Sequence, residues 1–251
     1  MPDYINVCLS ILAALLALVL IARRAYGFYV YRVTPRVPAA APNTCKIACV
    51  GDSITFGMLI RHRRAKCYPM QLEKRLGEKF SVRNFGANGR AMQKAADLPY
   101  WQHPYFELST KFAPDVVLIM LGTNDSRKPN WKGVESYLRD YRAMLTHYSA
   151  LPSKPLIYAL TPPTQFKLEN QDALKFSMIE RAVDEMAVGI KKLAAEFGIE
   201  VIDINAATAP HPEHFSFDGI HANAQGAKHI ADTVYAAIHN TVGNACTRPR
   251  P

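Results

Sequence analysis

Missing from the 251 residues are a glycine-rich phosphate loop, a zinc-finger spacing and the basic-aromatic signature of an RNA binder. Phosphate-loop chemistry and nucleic-acid recognition therefore have no carrier here. Cysteine is scarce: Cys8, Cys45, Cys49, Cys67 and Cys246 form an odd, scattered set of five. It reads neither as a disulfide framework nor as a metal-ligand spacing, and it leaves the redox compartment open. Acidic residues are also short, 21 against 30 Lys and Arg, and the net charge of +9 favours acidic polymers or anionic headgroups as partners. No internal repeat or low-complexity tract occurs, and with 49% hydrophobic and 20% charged residues the chain can bury a full core as one domain.

What is present begins with INVCLSILAALLALVLIA, the 18 uncharged residues Ile5 to Ala22. As a helix this run spans about 27 Å, close to a bilayer core, and it predicts a membrane anchor. A cleaved signal peptide fits less well, because Asp3 and no Lys or Arg precedes the run and Arg23-Arg24 occupy the place of small cleavage-site residues. Cleavage near Ala39-Ala40-Ala41 stays open as an alternative. A buried core helix is disfavoured because nothing polar gives the run an outer face. Tyr26, Phe28, Tyr29 and Tyr31 fit an interfacial aromatic belt, and Thr34 to Pro42 reads as a stiff extended linker. The expected organisation is an anchor over 1–24, a Pro/Ala-rich linker over 25–44, a globular domain over 45–241 and a tail over 242–251.

From Cys45 onward, short apolar runs alternate with amphipathic stretches. Lys46–Val50, Ser81–Phe85, Asp115–Leu121, Pro155–Leu160 and Ile199–Ile204 are the strand candidates. Val134–Ser149, Asp172–Phe197 and Asn223–His239 carry helical spacing, with Gly198 as a C-terminal stop for the second. This alternation predicts a five-stranded parallel sheet covered on both faces, a three-layer α/β/α architecture. Ligands of such sheets bind at the carboxyl ends of the strands. The residues found there are Ser53 in Gly51-Asp52-Ser53-Ile54-Thr55-Phe56-Gly57, then Gly86-Ala87-Asn88-Gly89, Gly122-Thr123-Asn124-Asp125, and the loop holding Asp218-Gly219-Ile220-His221. Acyl transfer needs a nucleophile, a base, an orienting carboxylate and oxyanion donors, and these four loops supply a candidate for each.

With GDSITFG, GTND and DGIH in this order, the chain resembles the SGNH, or GDSL-type, hydrolase superfamily from Gly51 to His221. The resemblance implies a flavodoxin-like fold, Ser53 as nucleophile, His221 as general base, Asp218 as its partner, and no metal or organic cofactor. Three-residue separation on a turn lets the Asp218 carboxylate accept from one imidazole nitrogen while the other faces Ser53. The backbone N–H groups of Ser53 and Gly86 and the side-chain amide of Asn124 are the oxyanion donors expected. Asp52 and Asp125 are read as structural. His211 and His214 are read as loop histidines, since Pro210 and Pro212 forbid a regular helix and no third ligand is evident; His62 and His103 lack partners in sequence.

The loop sequences around Asn84–Arg90, Asp97–Trp101 and Gly122–Trp131 are similar to those of bacterial sialate O-acetylesterase-like enzymes. An O-acetylated carbohydrate is therefore the expected substrate. Trp101 and Trp131 either stack on its sugar ring or close over the core, and Arg61, Arg63, Arg64 and Lys66 read as a solvated helix face. Two rival readings stand beside this one: a lysophospholipase or thioesterase of the same superfamily, and a membrane-tethered glycan-binding or inactive homologue. Arg23, Arg24, Arg32 and Arg36 after the span favour a cytoplasmic domain. Export is preferred nonetheless, because long domains cross membranes largely regardless of charge and the resemblance points to external glycans.

Overall fold

The structure is a computed structural model describing residues 2–32, 34–169 and 171–246, and it comprises one unit to Pro35 and a second from Arg36. The first unit is helix α1 (Pro2–Arg32), which contains the apolar stretch Tyr4–Ala25. Those 22 residues are long and apolar enough to cross a membrane, as an anchor or as a signal sequence. The helix continues eight residues past position 24, through the first part of the expected linker. The side chains of Tyr26, Phe28, Tyr29 and Tyr31 lie outside the described residues.

The second unit holds strands β1 (Cys45–Gly51), β2 (Phe80–Gly86), β3 (Val116–Met120), β4 (Leu156–Leu160) and β5 (Glu200–Ile202). All pair in parallel, in the order β2-β1-β3-β4-β5. Because side chains alternate across a strand, β3 sends Val117 and Ile119 to one face and Val116, Leu118 and Met120 to the other. The first face is covered by α5 (Pro104–Lys111), α6 (Val134–Ser149) and α7 (Ala182–Glu196). The second is covered by α4 (Tyr68–Leu76) and α9 (Ala224–Ala245). Short helices α2 (Ser53–Phe56), α3 (Arg63–Lys66) and α8 (Ile204–Thr208) complete the unit.

Helix α6 follows its sequence pattern closely, since Tyr137, Tyr141, Met144, Leu145 and Tyr148 are all buried at three- and four-residue spacing. Helix α7 does not begin at Asp172 as the periodicity predicts. Phe176, Ser177 and Arg181 all have positive φ, and residues 172–181 form an irregular loop with a single 3-10 turn. Gly198, at φ +62, does mark the end of that helix. Strand β5 stops at Ile202 because Asp203 turns to cap α8, accepting from Ala206 N at 3.2 Å.

Both ends of the unit are tied down more than the sequence suggests. Arg83 on β2 donates to the Pro38 and Ala39 carbonyls at 3.0 and 2.7 Å, and Ala41 N–H donates to Ser81 Oγ at 3.0 Å. The second part of the expected linker thus lies along the sheet edge. The expected tail begins with the last residues of α9, and Cys246 is disulfide-bonded to Cys45 at the start of β1, with Cα atoms 5.2 Å apart.

Candidate active site

Register sets the site. Gly51 pairs with Gly86 on one side and Met120 on the other, so β1, β2 and β3 end abreast and their following loops emerge from one edge. The chain runs from β1 outward to β2 and then returns to β3 on β1's other flank, which opens a crevice at the carboxyl ends. Ser53 stands there as the first residue of α2, with Asp52 as N-cap accepting from Ile54 N at 2.9 Å. Its own N–H belongs to the first turn, where a helix leaves amides without internal partners.

Asp218 and His221 occupy the tip of a loop closed by the Phe215–Ala222 bridge and by Ser216 N–H donating to the His221 carbonyl at 2.7 Å. His221 Nδ1 lies 2.6 Å from Asp218 Oδ2, and Nε2 lies 2.9 Å from Ser53 Oγ. The carboxylate can only accept, so Nδ1 carries the proton and Nε2 offers its lone pair to the Ser53 hydroxyl. Asp218 Oδ1 also accepts from Ile220 N and His221 N, at 3.0 and 2.9 Å. Burial pushes the Asp218 carboxyl up, but the bonds from the His221 ring and from these two amides outweigh it and hold the group below its ordinary value. A hydroxyl, an imidazole lone pair and an ionised carboxylate are thus in line for proton transfer.

Of the expected oxyanion donors, Asn124 is buried at the end of the β3 loop and uses one amide hydrogen on the Arg90 carbonyl, at 3.1 Å. Its second amide hydrogen is not needed for that bond. Gly86 is placed differently from the sequence expectation. Its N–H donates to Asn84 Oδ1 at 2.8 Å, and a Cβ there would run into the backbone of Thr55 and Phe56. This glycine lets β2 approach α2 and its amide is already engaged. Gly89, in the next turn at φ +72, adjoins the Arg90 that Asn124 touches. The sequence signal for it was the second glycine of Gly86-Ala87-Asn88-Gly89.

Asp52 and Asp125 both lie buried under these loops in structural positions. Asp125 accepts from Met92 N and Gln93 N, each at 2.8 Å, and so holds the β2 loop against the β3 loop. Burial pushes Asp125 up to about 7, against those two amide bonds and with the Asp52 charge adding to the rise. Burial likewise pushes Asp52 up to about 6, against the Ile54 N–H and the Thr123 side chain.

Both tryptophans pack against the core. Trp101 and Trp131 are partly buried against the α5–α6–α7 side of the core. Trp101 donates from Nε1 to the Met92 carbonyl at 2.8 Å, and Lys94 Nζ lies 4.3 Å from its ring centre. The exposed aromatic rings of the second unit, among the described residues, are Phe176 and Phe217, at 54% and 80% exposure. Phe217 precedes Asp218, and the Phe176 ring centre is 6.2 Å from that of His221. Phe176 sits in the irregular loop that sequence periodicity assigned to helix, so no local signal identified it. Lys128 N–H donates to the Ser177 carbonyl at 2.8 Å and Ile179 N–H to the Ser126 carbonyl at 2.7 Å. These bonds hold the loop against the residues that follow Asn124.

The remaining candidates take ordinary places. Arg61, Arg64 and Lys66 are exposed, while Arg63 lies over the Phe56 ring at 3.7 Å. His62 is exposed, and buried His103 caps α5 through Nδ1, accepting from Tyr105 N at 3.2 Å. Burial, with Arg90 nearby, lowers the His103 pKa to about 4.

A family model for GDSL-like lipases and acylhydrolases matches residues 49–229. An acetylxylan esterase of Xylanibacter ruminicola is 31% identical over 220 residues, which take in 80% of this chain and 45% of that protein. The chain thus spans less than half the length of this relative. Among solved structures, the aryl esterase of M. smegmatis superposes with a TM-score of 0.68 at 20% identity, covering 78% of this chain and 99% of its own. A carbohydrate acetylesterase from Sinorhizobium meliloti gives a TM-score of 0.66 at 19% identity, covering 78% and 100%. Both share the parallel-sheet fold described above. By the family match over most of its second unit and the relationship to the acetylxylan esterase, the chain belongs to the GDSL-like lipase/acylhydrolase family.

Proposed function

We propose that the protein is a serine esterase that removes small acyl groups, chiefly O-acetyl, from carbohydrate. The observation that carries this reading is the 2.9 Å approach of His221 Nε2 to Ser53 Oγ, with Asp218 on the opposite ring nitrogen. In the reaction, Nε2 takes the hydroxyl proton as Oγ attacks the ester carbonyl carbon, and Asp218 orients the ring and stabilises the imidazolium. The alcohol leaves with the proton from Nε2, and water repeats the sequence on the acyl-serine to release acid. The Ser53 N–H, the spare amide hydrogen of Asn124 and the Gly89 N–H, in place of that of Gly86, are the donors assigned to the oxyanion.

Acetyl and carbohydrate specificity rests on the acetylxylan esterase relative and on Phe176, an exposed ring beside His221 suited to the apolar face of a sugar. A lysophospholipase reading draws support from the apolar α1 helix, which as an uncleaved anchor would hold the site near lipid. The test compares p-nitrophenyl esters of increasing chain length with acetylated xylan, using wild type and Ser53→Ala. Acetate should be the preferred acyl group and the Ser53 variant inactive. Preference for long chains would favour the lipid reading, and full activity in the variant would remove Ser53.

The domain is assigned to the extracytoplasmic side. The Cys45–Cys246 disulfide supports this against the arginine distribution, since such bonds form and persist in oxidising compartments. Protease added to spheroplasts should digest the domain; digestion only after lysis would place it in the cytoplasm.

A further inference from the structure

The turn that leads into the Asp218–His221 loop carries a second cluster of reactive side chains. Pro212–His214 is a short 3-10 turn, and His211, Glu213 and His214 bring donor atoms within 4.8 Å of one another. His211 Nδ1 is 3.0 Å from Glu213 Oε1, and His214 Nε2 is 3.6 Å from the same oxygen. The sequence showed two histidines without a third ligand. The fold adds Glu213, and the His229 ring from α9 packs beside the pair, its centre 4.9 Å from that of His211 and 5.3 Å from that of His214.

We propose that His211, Glu213 and His214 form a site for a zinc-class divalent ion. A donor set of two nitrogens and one oxygen suits Zn²⁺, whereas the hard cations Ca²⁺ and Mg²⁺ require oxygen ligands.

The site lies outside the acyl-transfer chemistry, yet it meets the stem of the loop that carries it. Asn223 N–H donates to the His214 carbonyl at 2.9 Å and Asn223 Nδ2 to the Glu213 carbonyl at 2.8 Å. Phe215 pairs with Ala222 directly above them. An ion bound here braces the turn at the base of the Asp218–His221 loop. Its effect is on stability and on the order of that loop, with no bond to the reacting atoms.

The test uses the full chain in detergent, stripped with chelator and titrated with Zn²⁺ by calorimetry and with Co²⁺ by visible absorption. One ion per chain should bind, and Zn²⁺ at a hundredfold excess over Kd should raise Tm by about 5–10 °C. Glu213 has an exposed side chain, 60% accessible, so Glu213→Gln keeps the fold and should lose affinity by at least about tenfold. His211→Ala/His214→Ala should abolish both signals, with far-ultraviolet circular dichroism reporting its fold, while His62→Ala should bind as wild type. No Zn²⁺ heat in wild type, or unchanged affinity in Glu213→Gln and in the double variant, would overturn the site.

Discussion

Breaking the Cys45–Cys246 bond separates stability from catalysis in this protein. The two residues are 201 positions apart and bracket every loop of the proposed site. Closing a loop of that length removes about 18 cal/mol/K of entropy from the unfolded chain, about 5 kcal/mol at 25 °C. Residual structure in the reduced unfolded chain makes this an upper figure. At about 2–4 °C per kcal/mol for a domain of this size, reduction should lower Tm by about 10–20 °C. The bond sits at the amino end of β1, whereas Ser53 follows its carboxyl end. Reduced protein that is still folded should therefore hydrolyse p-nitrophenyl acetate at the oxidised rate. Thermal melts with and without reductant, and on Cys45→Ser/Cys246→Ser, read the first effect, and initial rates at 25 °C read the second. Thiol counting ties the bond to compartment: three of the five cysteines are free, so protein denatured without reductant should take up three maleimides. Five maleimides on protein trapped in intact cells, or a Tm indifferent to reductant, would refute the reasoning.

Other perturbations probe the site itself. Ser53→Ala and His221→Ala should each abolish most esterase activity, whereas Asp218→Asn should retain more because that carboxylate only orients the base; near-wild-type rates in the His221 variant would remove it as base. Asn124→Ala should lower kcat by about 10²–10³ with little change in KM, and a change in KM alone would make Asn124 a binding residue. Phe176→Ala should raise KM for acetylated xylan while leaving p-nitrophenyl acetate kinetics unchanged; equal effects on both substrates would place Phe176 in support of His221 instead. The pH dependence of stability follows from buried acids. Asp52 and Asp125, raised to about 6 and about 7, bind more protons folded than unfolded, so their stabilisation is present below the unfolded carboxylate range and lost as pH rises through those values. Cys49 and Cys67 thiols, pushed up by burial, act in the same sense at higher pH. Tm should therefore fall between about pH 5 and 7, and a Tm that rises over that interval would contradict the burial of these groups.

Which features could be read from sequence depended on how far apart their causes lie. The strands and α6 were legible because burial imposes its period on neighbouring residues. The four loops were legible because a parallel sheet brings all strand ends to one edge whatever the intervening chain does. The Asp218–His221 pair belongs to the same class, since three residues on one turn contain its geometry. Features set by a distant partner were hidden. Periodicity from Asp172 looks helical, yet the bonds of Ser177 and Ile179 to Lys128 and Ser126 bind that stretch to the β3 loop and leave Phe176 exposed beside His221. Trp101 and Trp131 had two open readings, and only the packing of α5 and α6 assigns them to the core side.

Gly86 and the histidine cluster show the same limit at atomic scale. A glycine after a strand advertises a free N–H, but whether that N–H is free depends on the side chain two residues earlier, and Asn84 takes it. The pair His211 and His214 looked incomplete because an adjacent glutamate is unremarkable in sequence. Cys45 and Cys246 looked like strays because nothing local says that β1 and the end of α9 meet. In each case the residue type was visible and its partner was not. Local pattern therefore identifies the residues offered for the proposed acyl transfer, while the fold decides which donors remain available to the oxyanion, which ring stands exposed beside His221 and which side chains can share the proposed ion.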